Sequence, residues 1–243
     1  MVISSKENKN IKLLQKLSQK KYRDEYGLFV VEGLRGVRDI MQFDETLIDQ
    51  IFVSENKSDQ FPNANIVSER IFASVCETEN SQGILAIVKK PISRQICSNF
   101  VLFLDRVRDP GNVGTLIRTA CAAGYNDVIL HDCADPYSGK VVRSTMSAIA
   151  KVNLILAGYE YLSNLKRENF NVICADMDGN NVFDYKTDQK VCIVIGNEAN
   201  GVSDEAKKLC DTVLSIPMDG KIESLNAGVS GAIMMYYLKY KTN

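Results

Sequence analysis

The sequence predicts an α/β protein in two parts: a small N-terminal α/β domain over residues 1–92 and a C-terminal parallel-sheet domain over residues 98–243. Two observations carry this. Short apolar runs alternate with helical patterns along the whole chain, as strands and helices do when they share a layered core. Between the two series lies Lys89-Lys90-Pro91-Ile92-Ser93-Arg94, a polar stretch whose proline discourages regular structure. With 243 residues, 45% of them hydrophobic and 24% charged, the chain suits one or two domains with ample core.

The elements follow in order. Residues 8 to about 23 read as a helix whose apolar stripe is Ile11, Leu13, Leu14 and Leu17, with the lysines mostly off it. Leu28-Phe29-Val30-Val31 is a strand closed by Glu32-Gly33, and a helix runs from Leu34 to Met41. Short strands at 51–53 and 65–67, a short helix at 71–75 and a strand at 83–88 complete the first part. In the second part, strands are expected at 101–104, 127–130, 171–175 and 191–195, with Val213-Leu214-Ser215-Ile216 as a last one. Helices are expected from the glycine turn at 111–114 to Ala123, and over 139–148 and 159–168. Ser203 caps a helix reaching Leu209, and 225–240 forms a final helix rich in small residues.

Charge and cysteine usage narrow the classes. No apolar run approaches a membrane span, and the first residues hold no signal-peptide core, which predicts a cytoplasmic protein. The seven cysteines form no C-x-x-C pair, and one histidine leaves no zinc pattern. They read as small buried hydrophobes in a reducing compartment, and no metal is expected. The net charge of −1 gives no general affinity for nucleic acid, but residues 1–23 concentrate Lys6, Lys9, Lys12, Lys16, Lys20, Lys21 and Arg23 against Glu7. Such a stripe is either a phosphate-tracking surface or a solvated helix face.

Three segments follow apolar strands. They are Asp109-Pro110-Gly111-Asn112-Val113-Gly114 running on to Arg118, Gly196-Asn197-Glu198 with Gly201, and Ile216-Pro217-Met218 followed by Ser224-Leu225-Asn226. In a parallel sheet the loops at the carboxyl ends of strands converge on one crevice, so the three are expected to build one site. Each residue also has an ordinary reading: a surface charge for Arg118, a turn for Pro217 and Gly220, a helix cap for Ser224.

On these segments the chain resembles the SpoU (TrmH) group of RNA ribose 2′-O-methyltransferases, in the knotted SPOUT methyltransferase superfamily. The likeness is strong over about 98–243, and the N-terminal part resembles a ribosomal-protein-like RNA-binding domain. The resemblance implies a deep trefoil knot, S-adenosyl-L-methionine as cofactor and an RNA substrate, with rRNA favoured over tRNA because tRNA-acting members generally lack such an N-terminal domain. It implies catalytic roles for Arg118, Asn112, Glu198, Ser224 and Asn226. It implies cofactor contacts from Ile195, Gly196, Asn197, Gly201, Ile216, Met218, Leu225 and Asn226. RNA would be held by Lys12, Lys16, Lys20, Lys21, Arg23 and Arg118. The family's arginine is often given the role of base; because arginine stays protonated, phosphate binding and alkoxide stabilisation suit Arg118 better. Ser147 and Ala199 stand where the family usually has glycine, which leaves the named groups intact.

The family also pairs as a homodimer through the knotted domain. Leu116, Ile117, Ala120 and Ala123 offer one apolar face, and Gly231, Ala232, Met234, Met235 and Tyr237 another, although both would serve equally as core. Two other classes compete. A dinucleotide-binding enzyme would use Gly111-x-x-Gly114 as a phosphate turn with Asp132 or Asp135 on the ribose, but G-x-G-x-x-G is absent. A non-catalytic RNA-binding protein would leave the joint presence of the five catalytic candidates unexplained.

Overall fold

The computed structural model describes residues 2–221 and 224–241. In chain order the elements are α1 (Lys9–Leu17), α2 (Lys20–Tyr26), β1 (Leu28–Glu32), α3 (Leu34–Phe43), β2 (Ile48–Ser54), β3 (Asn65–Val67), α4 (Glu69–Ala73), β4 (Ile84–Lys89), β5 (Phe100–Asp105) and α5 (Pro110–Ala123). There follow β6 (Asp127–His131), α6 (Gly139–Thr145), β7 (Asn153–Leu156), α7 (Glu160–Arg167), β8 (Phe170–Asn181), β9 (Lys190–Ile195), α8 (Asp204–Lys207), β10 (Thr212–Ser215) and α9 (Ala227–Lys241).

Two compact units result. The first holds the chain to Pro91 together with Tyr137–Ala150. Its four-stranded sheet runs β1-β4-β2-β3, antiparallel except for β2 with β3. Ile11, Leu14 and Leu17 of α1 are spaced to share one helix face, and they pack with Phe52, Leu85 and Ile87 of the sheet. The single helix expected over 8–23 is two helices. Arg23 explains the break: it is buried, and its Nη1 donates to the carbonyls of Leu17 and Ser18, both at 2.7 Å, satisfying the end of α1. Arg23 therefore serves the fold and is not placed to meet RNA.

The segment 137–150 was expected in the C-terminal part, yet it packs in the first unit. Tyr137 lies 5.1 Å from the Phe29 ring, and Arg143 pairs with Glu77 at 2.7 Å. The helix expected to reach 148 stops at Thr145 because Met146 and Ser147 are left-handed, with φ of 49° and 74°. Glycine would fit Ser147's backbone without strain; here the serine hydroxyl donates to Asp39 at 3.2 Å.

The second unit holds 92–136 and 151–243, built on a six-stranded parallel sheet in the order β10-β8-β9-β5-β6-β7. Its central strands read as unbroken apolar runs because both faces are covered. The chain moves outward from β5 through β6 to β7, then returns to the other side, where β9 inserts between β8 and β5. Loops that leave β5 and β9 thus start as neighbours at the switch point of the sheet. β7 was not foreseen: it is a four-residue edge strand with Leu156 exposed. β8 extends to Asn181, well past the 171–175 expected. Of the cysteines, Cys174 and Cys192 are buried, Cys76, Cys121, Cys133 and Cys210 are half-buried and Cys97 is exposed, so the reading as small buried hydrophobes holds fully for two of them. No described helix is long and apolar enough to cross a membrane.

The carboxyl end of β5 is fastened by Asp105, which is fully buried. It accepts from the Ser203 backbone N–H at 2.7 Å and from the Tyr159 hydroxyl at 2.8 Å, with Arg106 Nε 3.3 Å away. Asp105→Ala strips the acceptor from buried donors, and we expect it to cost about 2–4 kcal/mol. Urea unfolding measures this; an unchanged midpoint would show that these bonds do not hold the β5 end.

Candidate active site

The site is built on three helix and loop starts. Asp109 caps α5, its Oδ1 accepting the Asn112 N–H at 2.9 Å, and Pro110 begins the helix where its missing N–H costs nothing. This places Asn112, which is buried, in the first turn. Asn112 Nδ2 donates to Glu198 Oε1 at 2.9 Å, and its Oδ1 accepts from Asn226 Nδ2 at 2.9 Å. Asn226 in turn caps α9, its Oδ1 accepting the N–H groups of Gly228 at 2.9 Å and Val229 at 3.2 Å. One row of amides and a carboxylate therefore joins all three segments. The cap of α9 is Asn226 and not Ser224, which is exposed and makes no hydrogen bond among the described residues.

Glu198 also accepts the backbone N–H groups of Arg108 at 3.2 Å and Asp109 at 3.1 Å. Burial pushes its carboxyl pKa up, but the Asn112 amide and these N–H donors outweigh burial and hold it below the ordinary value. Asn197 shapes the same loop: its Nδ2 donates to Arg106 O at 2.9 Å and its Oδ1 accepts from the Ala199 N–H at 3.0 Å. Gly196 is required here, because a Cβ on it would overlap the Gly201 and Val202 backbone; Gly201 itself adopts φ 64°.

A cavity of about 590 Å³ opens beside this row. Ile195, Gly196, Asn197, Gly201, Ile216, Met218, Leu225 and Asn226 all line it, together with Glu198 and Ser224. The sequence reading missed Asp176 and Lys207, which also line it and pair at 2.6 Å. Burial raises the Asp176 pKa, and Lys207 with the Asp178 N–H more than reverses this, while Lys207 is raised by Asp176. Asp176 follows the apolar run 171–175, so the strand-end rule that found the other segments would have found it too.

Arg118 is not drawn into the row or the cavity lining. It lies on the exposed side of α5 with Thr115, and among the described residues it makes no hydrogen bond or ion pair. Of the lysines expected to hold RNA, Lys12 pairs with Glu7 at 2.5 Å, Lys16 donates to the Tyr26 hydroxyl at 3.4 Å, and Lys20 and Lys21 are exposed. The N-terminus of α5 carries the carboxylates of Asp109 and Glu198, so a dinucleotide pyrophosphate would meet two anions there. Asp132, one ribose candidate of that reading, is tied to Arg108. No group of three or more His, Cys, Asp or Glu among the described residues could hold a metal.

Comparison with known proteins gives two family matches. Residues 99–236 match the SpoU rRNA Methylase family, and residues 8–86 match the MRM3-like substrate binding domain. The 23S rRNA (guanosine(2553)-2'-O)-methyltransferase RlmP of Bacillus subtilis is 32% identical, over 98% of each chain. The AdoMet-bound rRNA methyltransferase of Sinorhizobium meliloti superposes with a TM-score of 0.84 at 28% identity, covering 98% of this chain and 96% of that one. A putative RNA methyltransferase of the TrmH family from Porphyromonas gingivalis gives 0.85 at 28% identity, covering 97% and 99%.

Two outcomes follow from the geometry. Gly196→Ala forces the backbone of a cavity-lining loop apart and is expected to cost about 1–3 kcal/mol and to disturb the cavity wall; a thermal midpoint and cofactor affinity equal to wild type would contradict this. Because the folded pKa of Glu198 is depressed, its contribution is full above the ordinary glutamate value of 4.5 and is lost as pH falls through the lower folded value. The thermal midpoint of Glu198→Gln should therefore lie below wild type at neutral pH, with the gap narrowing below pH 4.5. A gap that widens in acid would reverse the assigned sign.

Proposed function

The chain belongs to the SpoU rRNA methylase family, and on that premise we propose that it transfers a methyl group from S-adenosylmethionine to a ribose 2′-hydroxyl of large-subunit rRNA. The observation that carries the reading is the Glu198–Asn112–Asn226 row at the rim of the cavity, which joins the three segments of the resemblance. The B. subtilis relative, named as a 23S rRNA 2'-O-methyltransferase, supports the choice of substrate, and the match of residues 8–86 to a substrate binding domain supports RNA selection by the N-terminal unit. In this reading the first unit selects RNA in the cytoplasm, and the second unit, built on the parallel sheet, forms the transferase domain with its trefoil knot.

The cavity fits the cofactor. Ile195, Leu214, Ile216, Met218 and Leu225 give an apolar wall that suits an adenine ring, and Glu198 adds negative charge that suits a cationic cofactor, whereas the charge of Asp176 is balanced by Lys207. S-adenosylmethionine bound there supplies an electrophilic methyl group. Gly196 lets the loop backbone close tightly beside it. The depressed pKa of Glu198 makes it a poor proton acceptor, so its work is to orient Asn112 and hold charge. Asn112, buried and fixed from both sides, holds Glu198 and Asn226 in place beside the cavity. Arg118 stays protonated; facing solvent and free of partners among the described residues, it suits the RNA phosphate and the developing alkoxide. Alignment of hydroxyl and methyl supplies much of the rate, up to ~7–11 kcal/mol when geometry is tight.

The homodimer belongs to the same reading, on a different surface from the one the sequence offered. Leu116, Ile117 and Ala120 are fully buried within the chain, as are Gly231, Met234 and Met235, because α5 packs on α9. What α9 leaves exposed is Val229, Tyr236 and Tyr240, at 48%, 43% and 66%. That stripe is the surface on which a second copy would pack.

Incubation with methyl-labelled cofactor and unmodified rRNA or tRNA tests the proposal. Label should enter rRNA as an alkali-resistant 2′-O-methyl linkage; label in neither RNA would overturn the function, and label in tRNA alone would overturn the substrate. Arg118→Ala should lose ~10²–10³-fold in turnover, with calorimetric affinity for the demethylated cofactor almost unchanged. Near wild-type turnover would remove Arg118 from the chemistry.

A further inference from the structure

Outside the cavity, α1 and α2 present a surface that the chemistry of the site does not use. Tyr22 and Tyr26 stand one turn apart on α2 with their rings stacked, centroids 6.1 Å apart and planes 15° apart. Lys16 reaches them from α1, across the break between the two helices that Arg23 fixes. Its Nζ is 5.3 Å from the Tyr22 ring centre and 5.8 Å from that of Tyr26, and it donates to the Tyr26 hydroxyl. Lys21 Nζ lies 5.7 Å from the Tyr22 ring. Neither tyrosine belongs to the core packed beneath α1, and Tyr26 is 38% exposed.

The charge around the rings is positive. Asp24 is occupied by Lys90 at 2.6 Å and Glu7 by Lys12 at 2.5 Å, which leaves Lys16, Lys20 and Lys21 exposed with Glu25 as the nearby acid. One exposed and one half-buried ring flanked by cations suit a ligand that offers both a flat π face and phosphates at short intervals. Unpaired RNA offers both, whereas a duplex hides its base faces in the stack. We propose that Tyr22 and Tyr26 form a stacking platform for an unpaired nucleobase of the RNA substrate, with Lys16, Lys20 and Lys21 taking the flanking phosphates. The platform rests on the reading that the protein acts on RNA. It adds selection for a single-stranded segment of that RNA.

The test uses the full chain and a labelled ten-nucleotide single-stranded RNA, with binding followed by anisotropy over a range of salt. Replacing both tyrosines by leucine (Tyr22→Leu with Tyr26→Leu) should weaken binding ~5- to 100-fold and leave the salt slope as in wild type. Binding of a duplex of the same sequence should not change. The triple change Lys16→Gln, Lys20→Gln and Lys21→Gln should instead flatten the slope by ~2. The Tyr22→Phe, Tyr26→Phe pair should keep wild-type affinity, and an unchanged thermal midpoint in each variant excludes a folding defect. Leucine variants that bind as wild type, or that lose duplex and single-strand binding equally, would overturn the platform. The two failures are distinct: a wild type that methylates rRNA while the leucine variants bind normally removes the platform alone. A wild type that binds through the tyrosines yet methylates no RNA removes the enzymatic reading alone.

Discussion

Asn112 has hydrogen-bonding partners on both sides that leave its amide one orientation. Its nitrogen must face the carboxylate of Glu198, and its oxygen must face the amide of Asn226. Each neighbour is itself pinned: Glu198 by two backbone donors at the start of α5, and Asn226 by its cap of α9. Asn112 is buried, and a buried amide is costly when unpaired, so satisfying it from both sides specifies one arrangement of two more exposed partners on loops 86 and 114 residues apart from it in sequence. The cavity wall, the position of the Gly196 loop and the start of α9 all depend on that arrangement.

The sheet makes the row possible. β9 pairs directly with β5, so Ile195 registers with Leu104 and the two following loops leave side by side. Asp105 then holds Ser203, which caps α8, and so ties the far end of the 196–201 loop to the end of β5. On the other flank the long β8 brings Asp176 and Met177 up as a wall of the cavity. The same sequence that makes the central strands too apolar for solvent therefore leaves their carboxyl ends as the place where polar groups collect.

Much of this was legible in the sequence because it depends on local chemistry. The runs 101–104 and 191–195 are apolar enough to require burial on two faces, and Asp109-Pro110 announces a helix start. The eight residues expected to contact cofactor are all found on one cavity. What escaped depends on partners distant in the chain. Nothing near Arg23 tells that its guanidinium will close α1, and a lysine-rich neighbourhood made it look like one more phosphate contact. β7 is too short and too exposed to announce itself. Residues 137–150 lie between two strands of one sheet yet pack with the other unit, through Tyr137 and Arg143. On composition the apolar faces of α5 and α9 suited core better, the resemblance favoured a contact surface, and in the fold α5 packs on α9 with those faces largely buried.

The central claim is that the three segments act as one unit through Asn112. A double-mutant cycle measures it directly, with Asn112→Ala, Asn226→Ala and their combination, reading calorimetric affinity for the demethylated cofactor. Asn226 lines the cavity and Asn112 does not, so independent residues would give additive losses, with Asn112→Ala near neutral. The account predicts that Asn112→Ala alone weakens binding and that the pair couples by about 0.5–3 kcal/mol. Additive effects, or an Asn112→Ala variant that binds as wild type, would contradict it.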